Sequence, residues 1–128
     1  MPKIFTSEKQ KIGEMGENIA ERFLVKHGFS ILDRNYTKKW GELDIVAKKD
    51  NKIHFIEVKS VTHETDTSYR AEDNMHPWKM KRLSRTIQTY LLDKDIEEDI
   101  EWQVDLVLVY MDMRNKKAKI KVVSDIIL

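Results

Sequence analysis

The sequence predicts an α/β domain, a mixed β-sheet of about five strands flanked by two helices. Three observations carry that expectation. Two stretches place apolar residues at three- and four-residue spacing, as amphipathic helices do. Five runs rich in Val, Ile and Tyr are bounded by Gly, Asn, Asp and Lys, as strands are. Their order is helix, three strands, helix, two strands, with the most apolar runs in mid-sheet, as expected of a sheet covered on both sides.

The first helix is expected from about Ser7 to His27. "SEKQ" supplies an N-cap, Gly28 a stop, and Ile12, Ile19, Ala20, Phe23 and Leu24 the apolar stripe. Glu17 stands three and seven residues before Ala20 and Leu24, at the edge of the buried face. Gly13 and Gly16 each weaken the helix by roughly 1 kcal/mol relative to Ala, which implies a close approach there. "FSILDRNY" reads as a short edge strand running into a turn near Gly41. "ELDIVA" and "KIHFIEVK" follow as strands joined across "KDNK", and the polar stretch from Ser60 to Met75 reads as a loop. Pro77 suits the first turn of a second helix whose apolar side is Met80, Leu83, Ile87 and Leu91. "WQVDLVLVY" and "AKIKVV" are the last strands, paired through a turn at Arg114 to Lys117.

A chain of 128 residues suits one domain, 1–128, with one core. It has 41% hydrophobic and 35% charged residues, and no uncharged apolar run approaches the roughly 20 residues that cross a bilayer. The absence of cysteine excludes disulfides and thiolate metal sites and fits a reducing cytoplasm, as does an N-terminus without a secretory apolar segment. Net charge is +1 but unevenly spread. The segment "DKDIEEDIE" carries −5, and removing it leaves +6 on the remainder, a balance compatible with a nucleic-acid partner.

The stretch "GELDIVAKKDNKIHFIEVK" carries the chemistry. With the turn centred on Asp50 and Asn51, Val46 faces Phe55, Asp44 faces Glu57 and Glu42 faces Lys59, all on one side of the sheet. Directly opposed carboxylates destabilise a hairpin, and Lys59 offsets only part of that repulsion. A divalent cation reverses it, because paired carboxylates of this kind bind Mg²⁺ or Mn²⁺. Beside such an ion, Lys59 can orient a water, help it lose a proton, or stabilise charge on a phosphate under attack. A one-residue shift in register puts the carboxylates on opposite sides and removes the site. The bland reading of "E-x-K" is a solvated surface ion pair.

These motifs resemble a family. Gly16-Glu17, "GELDIV" and "FIEVK", with "GENIAERFLVKHGFSILDRNY", "HPWKMKRLSRTIQTYL" and "WQVDLVLV", resemble the YraN group of small bacterial proteins over nearly the whole chain. Those are predicted endonucleases similar to archaeal Holliday junction resolvases, within the restriction-endonuclease-like superfamily. The resemblance implies that fold and a metal-dependent endonuclease acting on DNA, branched DNA included. It implies that Asp44 and Glu57 ligate Mg²⁺ or Mn²⁺ with the backbone carbonyl of Val58, that Lys59 is the catalytic lysine, and that Glu17 is the helix acid completing the site. Glu42 matches a motif position without an assigned role. "EVKSVT" lacks the basic residue that commonly follows this motif, and Gln103 stands where the family pattern has Arg.

Lys79, Lys81, Arg82 and Arg85 give the second helix a basic side suited to phosphates, or simply a solvated one. Trp40 and Trp78 read first as core or rim aromatics, with stacking on exposed bases as the functional alternative. His54, His63 and His76 share no constellation, and Asp105 is either a further site acid or a satisfied polar residue at the sheet margin. Symmetric cutting of a junction requires two sites, so a homodimer is the functional expectation. The competing reading is a non-catalytic nucleic-acid-binding or protein-interaction module on the same fold, favoured by the near-neutral charge and by Gln103.

Overall fold

A computed structural model describes residues 7–62 and 76–128. Helix α1 spans Glu8–Lys26, with strands β1 (Ser30–Lys38), β2 (Gly41–Lys49) and β3 (Lys52–Thr62) after it. Helix α2 (Pro77–Asp93) and strands β4 (Glu101–Asp112) and β5 (Lys117–Ile126) complete the order expected from the sequence. The Ser7 side chain caps α1 by accepting from the Gln10 N–H at 3.2 Å, and Gly28, at φ +91°, takes the left-handed conformation that ends it.

The strands form one five-stranded sheet in the order β1-β2-β3-β4-β5. All neighbours are antiparallel except β3 and β4, which run parallel because α2 makes the crossover between them. Asp50 and Asn51 both have positive φ, 51° and 63°, which is the two-residue primed turn that fixes a hairpin's register. Every β2–β3 pair from Lys49↔Lys52 to Ile45↔Ile56 obeys the expected register. The loop expected from Ser60 begins later, since Ser60–Thr62 extend β3 alongside β4, and its remainder lies outside the described residues.

Each helix covers one side of the sheet. Ala20 and Leu24 of α1 pack on Ile45, Ala47, Ile56, Val107 and Val109. Leu83, Ile87 and Tyr90 of α2 pack on Val46, Phe55 and Val104. Strand β4 is buried from Val104 to Val109, as befits a strand paired on both edges and covered on both faces. Of the two helical glycines, Gly16 shows the close approach: a Cβ there runs into Ser60 Oγ, which donates to the Ile12 carbonyl at 3.3 Å. Gly13 has open space and no such reason.

Asp105 proves to be the satisfied polar residue. It sits where the β4–β5 register shifts and is bonded by His54 Nδ1 at 2.8 Å, Gln103 Nε2 at 2.7 Å and the Asp125 N–H at 2.9 Å. His54 and Gln103 are thereby engaged in a bulge-closing cluster on the α1 side. His76 is the N-cap of α2, and His63 lies outside the described residues. Among the described residues no helix is long and apolar enough to cross a membrane.

Candidate active site

The β2–β3 ladder ends at Ile45↔Ile56, one residue short of Asp44 and Glu57. There the Asp44 side chain replaces a main-chain acceptor: its Oδ2 takes the Val58 N–H at 2.8 Å. The main-chain ladder thus stops short of the expected Asp44–Glu57 and Glu42–Lys59 pairs, while Asp44 and Glu57 still line one cavity. The hairpin forks instead, and the carboxylate sits in the fork.

The α2 side of the fork opens into a cavity of about 280 Å³ lined by Glu42, Asp44, Glu57, Lys79 and Arg82, with Gly41, Leu83 and Thr86. Burial is the largest cause that pushes the Asp44 carboxyl from 3.8 up to about 8. The Glu57 charge adds to the rise, the Val58 N–H opposes it, and Glu17 and Glu42 add smaller contributions. Asp44 is therefore a sheltered carboxyl in a place where three other acids raise its proton affinity.

Glu17 reaches this region from α1 and is held by two donors, Arg34 Nη2 at 3.1 Å and Asn35 Nδ2 at 2.8 Å. Arg34 also bonds Asn18 Oδ1 at 2.8 Å and lies 3.6 Å from Glu21 and 3.8 Å from Glu14. Asn35 escaped the sequence reading. It occupies mid-β1 with φ 52°, a conformation that Asn tolerates better than most residues, and Nδ2 also bonds Glu42 Oε1 at 3.1 Å. One amide thus ties together two acids whose charges bear on Asp44. The only sequence signal was an Asn between two bulky residues just ahead of the turn.

Lys79, expected with the basic side of α2 to meet phosphates, lies in line with buried Leu83 and Thr86 and pairs with Glu57, Nζ to Oε1, at 2.9 Å. The Glu57 side chain is 15% exposed and that of Lys79 30%, so this is a sheltered pair inside the cleft. Lys59 is half-buried on β3, two residues beyond Glu57, and forms no ion pair with another described residue. Val58 gives its N–H to Asp44 while its side chain packs on the α1 cluster. Lys81, Arg82 and Arg85 are exposed on α2, where Arg82 lies over the Trp78 ring and Arg85 over the Trp40 ring, each at 4.2 Å.

Among the described residues no group of three or more acidic, His or Cys side chains is spaced to hold a metal ion alone. Two carboxylates remain as side-chain donors, Asp44 and Glu57. That fits Mg²⁺, which is commonly held by one or two carboxylates with waters and substrate oxygens completing the shell. The raised Asp44 carboxyl supports the fit, because a nearby cation offsets both the burial and the neighbouring negative charge that raise it.

A five-stranded mixed sheet with a helix on each side is the architecture of the restriction-endonuclease-like α/β proteins. Within that class the chain belongs to the uncharacterised protein family UPF0102, the YraN family its motifs resemble, whose model matches residues 16–109. A UPF0102 protein of Campylobacter fetus subsp. fetus is 41% identical over 97 residues, covering 76% of this chain and 81% of the relative. Another, from Campylobacter hominis, is 41% identical over 100 residues, covering 78% and 84%. One from Campylobacter jejuni subsp. jejuni is 41% identical over 101 residues, covering 79% and 85%.

Proposed function

We propose that the protein is a divalent-metal-dependent endonuclease that hydrolyses phosphodiester bonds in DNA, branched DNA included. The supporting observation is the fork: half-buried Asp44 beside Glu57, at the wall of a cleft that Lys79 and Arg82 also line, with Arg85 exposed one turn further along α2. Asp44 and Glu57 would hold Mg²⁺ or Mn²⁺ together with the Val58 carbonyl. The ion, when bound, supplies charge stabilisation at the scissile phosphate and lowers the pKa of water there.

The chain's own residues perform the rest. The Val58 N–H fixes one Asp44 oxygen and leaves the other for the cation. Asn35 and Arg34 hold Glu17 and Glu42 in place, which keeps negative potential on the cleft and so favours cation entry. Lys79 neutralises Glu57 before the cation arrives. Lys59, with its ammonium uncommitted to a described acid, is the group suited to orient the attacking water and to stabilise charge on the phosphate under attack. Arg82 and Arg85 hold the phosphate backbone across the cleft.

The test is cleavage of duplex, flap and four-way junction DNA in Mg²⁺ or Mn²⁺. Wild-type protein is expected to cut at least one of these, and Asp44→Asn and Glu57→Gln to cut none. A wild-type protein that binds junctions and cuts nothing in any metal makes the chain a binding module instead.

A further inference from the structure

The two arginine–tryptophan stacks bear on which nucleic acid the cleft takes. Trp78, Arg82 and Arg85 stand at four- and seven-residue intervals and therefore share one exposed stripe of α2. Trp40, in the β1–β2 turn, is brought to that stripe because Gly41 lies against Thr86 of α2. A Cβ at Gly41 runs into Thr86 Oγ1 and comes within 3.6 Å of the Arg82 carbonyl oxygen. Gly41 and Arg82 also line the cavity of Asp44 and Glu57, so both stacks adjoin the carboxylates.

Trp78 is 56% exposed, an unusual amount for the largest side chain. Arg82 lies over its ring and the His76 ring stands 5.5 Å from it, with more than half of the residue still exposed. Both guanidinium groups lie over indoles in place of extending as free point charges, which builds planar surfaces beside the cleft. Phosphate contacts at the two arginines add affinity for single strand and duplex alike and carry no preference between them. Stacking supplies affinity that does not depend on net charge, about 1–3 kcal/mol per base. Paired bases inside a duplex present no open face to such a ring.

We propose that the Trp78–Arg82 and Trp40–Arg85 stacks form a platform for unpaired bases, so that the nucleic acid taken by the cleft has single-stranded nucleotides beside the phosphodiester held at Asp44 and Glu57. This builds on the nucleic-acid reading of the cleft and narrows it to DNA with unpaired segments. In it Arg82 and Arg85 meet the phosphates flanking a stacked base, and Trp78 contributes its exposed surface. A shielding role alone, with arginine merely covering exposed indole, gives no preference among DNA forms.

The experiment is fluorescence anisotropy in EDTA, where no cleavage interferes, comparing a twelve-nucleotide oligo-dT with a twelve-base-pair duplex for wild type, Trp78→Ala and Trp78→Phe. Wild type is expected to bind the single strand more tightly than the duplex. Trp78→Ala is expected to weaken single-strand binding by about 5- to 150-fold, the factor to which one stacked base converts, and Trp78→Phe to retain most of it. Duplex binding is expected to change less than twofold in both variants. Equal affinity for the two DNA forms in wild type overturns the platform, as does a Trp78→Ala loss of the same size on both. Because no metal is present, these outcomes are independent of whether the protein cuts: a duplex-cutting enzyme without single-strand preference keeps the nuclease reading and loses this one.

Discussion

Replacing Asp44 with Asn removes an ionisable group while keeping its volume and an oxygen to accept the Val58 N–H. Burial, with the Glu57 charge next, raises the folded-state carboxyl from 3.8 to about 8, so the folded protein retains a proton that the unfolded chain releases above about pH 4. Between those values the unfolded state binds fewer protons, and stability falls as pH rises, by about 1.4 kcal/mol per pH unit. Across the whole interval the loss is on the order of 5 kcal/mol, complete above about pH 8 and absent below about pH 4. The amide of the Asp44→Asn variant does not titrate and carries no such loss. In urea unfolding without metal, Asp44→Asn is expected to match wild type near pH 4 and to exceed it by several kcal/mol near pH 9. Saturating Mn²⁺ is expected to reverse the order, because a ligand that binds only the folded wild type stabilises it alone. A wild-type-to-variant difference that stays constant from pH 4 to 9, or an Asp44→Asn variant that is less stable at pH 9, refutes the crowded, cation-poor cleft.

Lys79→Met removes the ammonium that holds Glu57, so Mn²⁺ measured by calorimetry is expected to bind about 5- to 10-fold more tightly; an unchanged or weaker affinity shows that the pair does not compete with the cation. Lys59→Met is expected to lower single-turnover cleavage by about 10²–10⁴ while leaving metal affinity within threefold, and intact cleavage removes the proposed role of Lys59. Gly16→Ala gains helix propensity yet drives a methyl into Ser60 Oγ, and a net loss of about 1–3 kcal/mol is expected in thermal unfolding. Combining it with Ser60→Gly is expected to recover most of that loss; no recovery means that the approach of α1 to β3 is looser than the geometry shows.

Much of this fold was legible because its signals are local. Asp50-Asn51 set the hairpin turn, and the turn set the register of five pairs down to Ile45↔Ile56. Ser7 and Gly28 bounded α1, and the apolar run from Val104 to Val109 marked a strand covered on both sides. The fork was not legible, because an Asp44 oxygen competing with main-chain carbonyls for the Val58 N–H is a tertiary choice that leaves no trace in strand periodicity. Nor was the length of β3, since Ser60–Thr62 are held by parallel pairing to a strand nearly fifty residues away. The Lys79–Glu57 pair was partly legible, because the spacing of Lys79 from Leu83 and Thr86 places it on the inward face of α2. Asn35 carried almost no signal, because a left-handed residue within a strand is specified by what its side chain bonds, here Glu17 and Glu42.

That Asp44 and Glu57 jointly accept one divalent cation is tested most directly by isothermal titration of Mn²⁺ in two buffers of different ionisation enthalpy, near pH 7. One ion is expected per chain, accompanied by release of close to one proton as Asp44 ionises, with binding lost in Asp44→Asn. Absence of binding heat in the wild type, or identical binding by Asp44→Asn, would show that the forked hairpin holds no metal.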